Sequence, residues 1–251
     1  VITTNSYALV PFHLGAPAFY AHGQQWADLA GRLARQAVQE SRRNVRVAAS
    51  LPPLFGSYQP ALFDVVRAPE IAQRLIAGLA PYADIWLAET LSSIQEAEFI
   101  QSMLPESSQP FWVSFTLADE AGGTRPILRS GEPVAEATQA MLSLGVDALL
   151  FNCSAPETML AAIQTAQQVM ASSGQFCPIG VYANAFCSHD AEAETAANEY
   201  LDDMRPDLTI RAYAALAEQW LAAGATLIGG CCGIGPEYIR ALADLQCRGG
   251  G

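Results

Sequence analysis

The stretch Ala148-Leu149-Leu150-Phe151-Asn152-Cys153-Ser154-Ala155-Pro156 contains a whole structural unit. Five residues, apolar on both faces and too few for a helix, read as a strand of a buried parallel sheet. Asn, Cys and Ser break the run, and Pro156 stands where the first turn of a helix tolerates a missing N–H. An amphipathic segment, 156–170, follows. The same unit recurs along the chain. Strand-like runs occur at 1–7, 45–51, 84–89, 111–117, 148–152, 178–182 and 226–229, and helical patterns at 24–40, 69–79, 94–104, 133–144, 156–170 and 209–223. Pro69 and Pro133 open two helices as Pro156 does, and Gly145 and Gly224 follow two as C-terminal caps. Strict alternation leaves an open doubly wound α/β sheet or a (β/α)8 TIM barrel. Regular unit length and the lack of a linker favour the barrel, as a single domain over residues 1–251. Seven strands are one short of eight, and Val1 already lies inside a strand-like run. The expectation is therefore an N-terminally incomplete barrel, lacking its first strand in this chain.

Composition narrows the function classes. About half of the 251 residues (51%) are apolar, enough for one large core, so disorder is excluded. The formal charge of −12 leaves no basic stripe to neutralise phosphates, which argues against nucleic acid and anionic membranes as partners. No apolar run reaches the length of a membrane span, and no secretory leader is visible. A cytoplasmic enzyme acting on small molecules, as a monomer or small homo-oligomer, is expected. The alanine- and acid-rich stretch 190–200 reads as a solvated loop, and 249–251 as a frayed end.

The chemistry-bearing signal is Leu227-Ile228-Gly229-Gly230-Cys231-Cys232-Gly233-Ile234-Gly235-Pro236, a strand running into paired cysteines before a helix. Glycines at such a turn can cradle phosphate, but a phosphate loop has no need of two thiols. The alternative is a metal site, with the glycines letting both sulfurs turn inward. Cys153 occupies the equivalent strand end about 80 residues earlier. In a barrel, the C-terminal ends of all strands share one face, so Cys153, Cys231 and Cys232 are expected to converge. Three sulfurs and one open position describe a catalytic zinc centre, not a closed structural one. Cys177, Cys187 and Cys247 read as buried or exposed thiols without a role. His13, His22 and His189 lack metal spacing, and Tyr7 and Trp86 read as packing residues.

These motifs resemble the signature of the homocysteine S-methyltransferases, zinc-dependent (β/α)8 barrels. The resemblance rests on Gly229-Gly230-Cys231-Cys232-Gly233 with Trp220, Gly224-Ala225 and Pro236 around it. Asn152-Cys153, Glu89-Thr90, Val113-Ser114-Phe115-Thr116 and Val181-Tyr182-Ala183-Asn184 also match family strand ends. It implies Zn²⁺ held by Cys153, Cys231 and Cys232, and substrate binding by Glu89, Asn152 and Asn184. Glu89 is the family's carboxylate for the amino group of homocysteine. The implied reaction moves a methyl group from a sulfonium, S-methylmethionine or S-adenosylmethionine, to the thiolate of homocysteine, forming methionine. Two other readings remain: a non-catalytic zinc- or thiol-binding barrel, and an enzyme using another donor such as betaine. Departures are the lack of the family's opening Asp-Gly-Gly strand, Tyr182-Ala183-Asn184 in place of Tyr-Pro-Asn, and Leu51-Pro52-Pro53-Leu54-Phe55-Gly56 in place of a glycine-rich loop.

Overall fold

Parallel strands separated by helices run through both halves of the chain, as the alternating pattern requires. The computed structural model describes residues 1–106, 109–119, 125–186 and 203–248. Cys187, His189, the stretch 190–200 and residues 249–251 lie outside the described residues. The chain forms two compact units, Val1–Ser114 and Phe115–Gly251.

In the first unit, β1 (Ile2–Thr3), β2 (Val47–Leu51), β3 (Ile85–Leu91) and β4 (Phe111–Phe115) lie side by side in chain order. The pairings of β1 with β2 and of β2 with β3 are parallel. Every residue of β2 and β3 is buried, the polar Ser50, Glu89 and Thr90 included, so both faces of these strands are covered. The helices are α1 (Pro11–Leu14), α2 (Ala16–Ser41), α3 (Ala68–Leu79) and α4 (Ile94–Met103). Helix α2 turns a stripe of small residues inward around Phe19, with Gly23, Ala27, Ala30, Gly31 and Ala34 buried. That stripe lets α3 approach closely: a Cβ on Gly78 would stand 2.6 Å from the Gln24 carbonyl oxygen and 2.7 Å from the Ala27 Cβ. Helix α4 opens on a capping box, in which Ser93 and Glu96 satisfy each other's backbone N–H groups.

The second unit repeats the scheme with β5 (Ala148–Asn152), β6 (Ile179–Tyr182) and β7 (Leu227–Ile228), parallel and in chain order. Its helices are α5 (Val134–Leu144), α6 (Pro156–Ser173), α7 (Ile210–Ala222) and α8 (Pro236–Arg248). Parallel strands in sequential order, each followed by a helix, are the construction of the (β/α)8 barrel, and seven such strands are present among the described residues.

Several boundaries differ from expectation. The run 1–7 is a strand only at Ile2–Thr3, because the Ser6 N–H donates to the Thr4 carbonyl and the Thr4 and Ser6 hydroxyls bond each other. Short polar side chains compete here with the ladder. Helix α2 starts eight residues before the expected Gln24, at Ala16, with a proline in its first turn. Pro133 is the residue preceding α5, not its first helical residue. The run 111–117 leaves the parallel ladder after Phe115, and Leu117 bridges Leu128 in antiparallel fashion. Gly145 caps α5 with a left-handed φ of 75°, as expected. Among the described residues, no helix is long and apolar enough to cross a membrane.

Asp84 ties the first unit together. Its two oxygens accept from Arg35 of α2 at 2.6 and 2.8 Å, and one also accepts the Val47 N–H at 2.8 Å. The Arg35 guanidinium foremost, with the Val47 N–H, holds this carboxyl below its ordinary pKa, although burial pushes the other way. A group with a lowered folded pKa stabilises the fold above its unfolded pKa and loses that contribution as pH falls through the folded value. Asp84→Asn is expected to cost about 1–2 kcal/mol at neutral pH. As pH falls below about 4 its denaturation midpoint should begin to approach that of the wild type, converging once the folded-state pKa of Asp84 is passed. Urea melts at pH 7 and in steps down to pH 3 check both statements.

Candidate metal centre

The second unit builds the site from the C-terminal ends of β5, β6 and β7. Register pairs Asn152 with Tyr182 and Val181 with Ile228. Beyond the strands the ladder continues as single contacts: the Cys153 N–H donates to the Tyr182 carbonyl at 3.2 Å, and the Cys231 N–H to the Ala183 carbonyl at 3.0 Å. The Ala185 N–H returns to the Cys232 carbonyl at 2.9 Å. Both cysteine segments are thereby moored to the same central strand. Tyr213 of α7, fully buried, donates its hydroxyl to the Gly229 carbonyl at 2.9 Å and lies 3.3 Å from that of Ala183. Burial pushes its phenol pKa upward, so it stays protonated and donating.

The turn itself depends on Gly230, where a Cβ would run into the Ile234 side chain. Three of its backbone N–H groups are spent internally: those of Gly229, Cys231 and Ile234 donate to the carbonyls of Val181, Ala183 and Cys231. That arrangement does not suit the phosphate-cradle reading, which requires N–H groups free to face an anion.

Three sulfurs meet at this turn. The Sγ atoms of Cys153, Cys231 and Cys232 all lie within 4.8 Å of one another. Cys232 stands 3.9 Å from each of the other two. A zinc–sulfur bond of about 2.3 Å in tetrahedral geometry separates sulfurs by about 3.8 Å, so the spacing fits a metal of that kind. Cys153 is buried, Cys231 half-buried and Cys232 exposed, an arrangement open on one side. The thiols also interact electrically. Hydrogen bonds from Cys153 and Cys231 stabilise the Cys232 thiolate and lower its pKa to about 3. Cys231 is driven upward by its bonds to Cys153 and Cys232 and by burial. One thiolate is thus stable by itself, whereas three require a counter-charge, and a divalent cation supplies one.

The other expected site residues fall as follows. Asn152, fully buried, places its Nδ2 3.9 Å from the Cys231 sulfur, so its amide faces the cluster. Asn184 is half-buried, and its N–H donates to the Ser154 carbonyl at 3.3 Å. Glu89 belongs to the first unit. It lies two residues before the end of β3 and is only 8% exposed, not a solvated surface acid. The Ser50 hydroxyl donates to its Oε1. Ser50 is held in turn by Thr4, whose Oγ1 accepts the Ser50 N–H at 3.0 Å, and by Ser6, whose hydroxyl donates to the Ser50 carbonyl at 2.7 Å. Cys177 is half-buried outside the cluster. His13 packs against the Phe12 ring, His22 lies beside Trp26, and Trp86 is buried.

Sequence reasoning missed Tyr213, Ser50, Thr116 and Ser154. Ser154 adjoins a recognised cysteine, and Thr116 closes the matched run Val113-Ser114-Phe115-Thr116 without having been given a role there, so both were within reach. Tyr213 sits in an ordinary amphipathic helix and carries no local signal.

Comparison with known proteins agrees with this geometry. The family model described as homocysteine S-methyltransferase matches residues 1–245. Homocysteine S-methyltransferase 4 of Zea mays is 32% identical over 173 residues, 68% of this chain and 46% of that protein. The Escherichia coli (strain K12) homocysteine S-methyltransferase is 31% identical over 187 residues, 72% of this chain and 52% of that protein. The chain therefore spans about half the length of these curated relatives. Among solved structures, the metallated form of the homocysteine methyltransferase MmuM from Escherichia coli superposes with a TM-score of 0.71 at 26% identity. That superposition covers 97% of this chain and 78% of MmuM and bears out the TIM-barrel class. Matched along almost its whole length, the chain belongs to the homocysteine S-methyltransferase family.

Proposed function

We propose that this protein transfers a methyl group from a sulfonium, S-methylmethionine or S-adenosylmethionine, to the sulfur of L-homocysteine, with zinc held by Cys153, Cys231 and Cys232. The observation that carries the reading is the convergence of three sulfurs within 4.8 Å in a member of this family. Zinc bound there supplies the positive charge that keeps a substrate thiol deprotonated at neutral pH.

The chain's own residues do the rest. Cys153, Cys231 and Cys232 would hold the metal, and the exposed Cys232 side leaves room for the homocysteine sulfur to approach. The Asn152 amide, 3.9 Å from the Cys231 sulfur, orients that ligand. Glu89, held by Ser50, receives the homocysteine ammonium, and Asn184 its carboxylate. The thiolate attacks the methyl carbon in line with the breaking S–CH₃ bond. The electron pair of that bond returns to the donor sulfur, so anion and cation become two neutral thioethers. A sulfonium is favoured over betaine because a neutral thioether leaves more readily than a tertiary amine. Metal-binding thiols must stay reduced, which fits the cytoplasm.

The test is methionine formation from homocysteine with S-methylmethionine, S-adenosylmethionine and betaine in turn, using zinc-loaded protein. Turnover with a sulfonium is expected. Turnover with betaine alone would reassign the donor, and none with any donor would leave a non-catalytic thiol-binding barrel.

A further inference from the structure

Cys153 occupies a backbone conformation that a residue with a Cβ adopts only when held, with a φ of 51°. That left-handed turn decides where its sulfur points, so whatever holds the turn also sets the sulfur cluster. Two hydroxyls do so from behind. Thr116 donates to the Cys153 carbonyl at 3.3 Å, and Ser154 donates to the Asn152 carbonyl at 3.0 Å. Both side chains are fully buried, where a misdirected polar group is costly. Ser154 also accepts the Leu117 N–H at 2.7 Å.

Thr116 is itself oriented. Its Oγ1 accepts from Arg129 Nε at 3.3 Å, and Arg129 Nη2 pairs with Asp119 Oδ2 at 2.6 Å. Both ends of that ion pair are only 13% exposed. The second Asp119 oxygen accepts the Ala155 N–H at 2.8 Å, beside the start of α6. The antiparallel bridge of Leu117 with Leu128 brings Arg129 to this position. One chain of contacts therefore runs from Asp119 through Arg129 and Thr116 to the carbonyl of Cys153, and it closes on Ala155 two residues further along.

We infer that Thr116 is a positioning residue of the metal centre. Its hydroxyl, aimed by the Arg129–Asp119 pair, fixes the left-handed turn of Cys153 and so presents the Cys153 sulfur to those of Cys231 and Cys232. The inference rests on the metal-binding reading above and deepens it. Partners that orient a metal ligand typically change metal affinity by about 10–100-fold when removed.

The test uses the full chain, stripped of metal and titrated with Co²⁺ against a competing chelator. The sulfur-to-cobalt charge-transfer absorption is recorded alongside. Thr116→Val keeps the shape and removes the hydroxyl; Thr116→Ser keeps the hydroxyl. Thr116→Val is expected to weaken Co²⁺ binding about tenfold and to alter the charge-transfer band, with Thr116→Ser restoring both. Should Thr116→Val fail to fold, Asp119→Asn retains an oxygen for the Ala155 N–H while loosening Arg129. Its expected loss is about threefold, a fraction of the Thr116 effect. Wild-type affinity and band in Thr116→Val, or in Asp119→Asn where that variant stands in, overturn the positioning role alone. A wild-type protein that gives no cobalt–thiolate band removes the metal reading, and the inference falls with it.

Discussion

Serine in place of Cys232 is expected to abolish zinc retention and, with it, methyl transfer. Cys232 stands 3.9 Å from each of the other two sulfurs, so its loss takes one corner from the cluster, and a serine hydroxyl stays protonated where the thiolate carried charge. A four-ligand zinc site is worth about 10–16 kcal/mol, so one ligand's share is about 2.5–4 kcal/mol, or about 60- to 700-fold in affinity. The fold should survive: Cys232 is exposed, and its structural bond, from the Ala185 N–H, goes to its backbone carbonyl. Metal analysis after dialysis, with a thermal melt as control, decides the matter. Zinc retained at wild-type stoichiometry in Cys232→Ser would falsify the assignment.

Glu89→Gln should leave the protein folded and damage homocysteine binding. Glutamine keeps an oxygen to accept the Ser50 hydroxyl and fills the same volume in this nearly closed position. What disappears is the charge that would pair with a substrate ammonium. A hydrogen bond to a charged group is worth about 1.5–3 kcal/mol, so KM for homocysteine should rise about 10–150-fold. The turnover number should change little, because the ammonium is remote from the reacting sulfur and its binding is uniform between ground and transition states. Steady-state kinetics with homocysteine varied at saturating donor separate the two parameters. An unchanged KM would return Glu89 to a structural role within the Thr4–Ser6–Ser50 hydroxyl network.

Legibility in the sequence followed the range of the interactions involved. The strands at 148–152 and 178–182 were readable to within one residue, because apolar runs ended by Asn, Cys or Pro are local signals. The run 1–7 misled, because the hydroxyls of Thr4 and Ser6 turn the backbone out of the ladder. Helix α2 begins ahead of its amphipathic stretch, where Phe19 and Gly23 are the buried residues, too sparse a stripe for a hydropathy pattern to register. Glu89 looked like an acid at a strand terminus, whereas two further residues of strand and a donated hydroxyl enclose it.

Residue type and spacing alone determined the alternating α/β class and the chemical character of the site, since periodicity, turn residues and thiol chemistry all act within a few positions. Tertiary structure realises the expected meeting of Cys153 with Cys231 and Cys232, 78 and 79 residues apart, and it alone decided that Tyr213, Thr116, Arg129 and Asp119 stand behind them. Those meetings follow from parallel register and from the antiparallel turn after Leu117. They depend on which strand lies beside which, a non-local choice made by burial of the whole sheet and unmarked in any short stretch of chain.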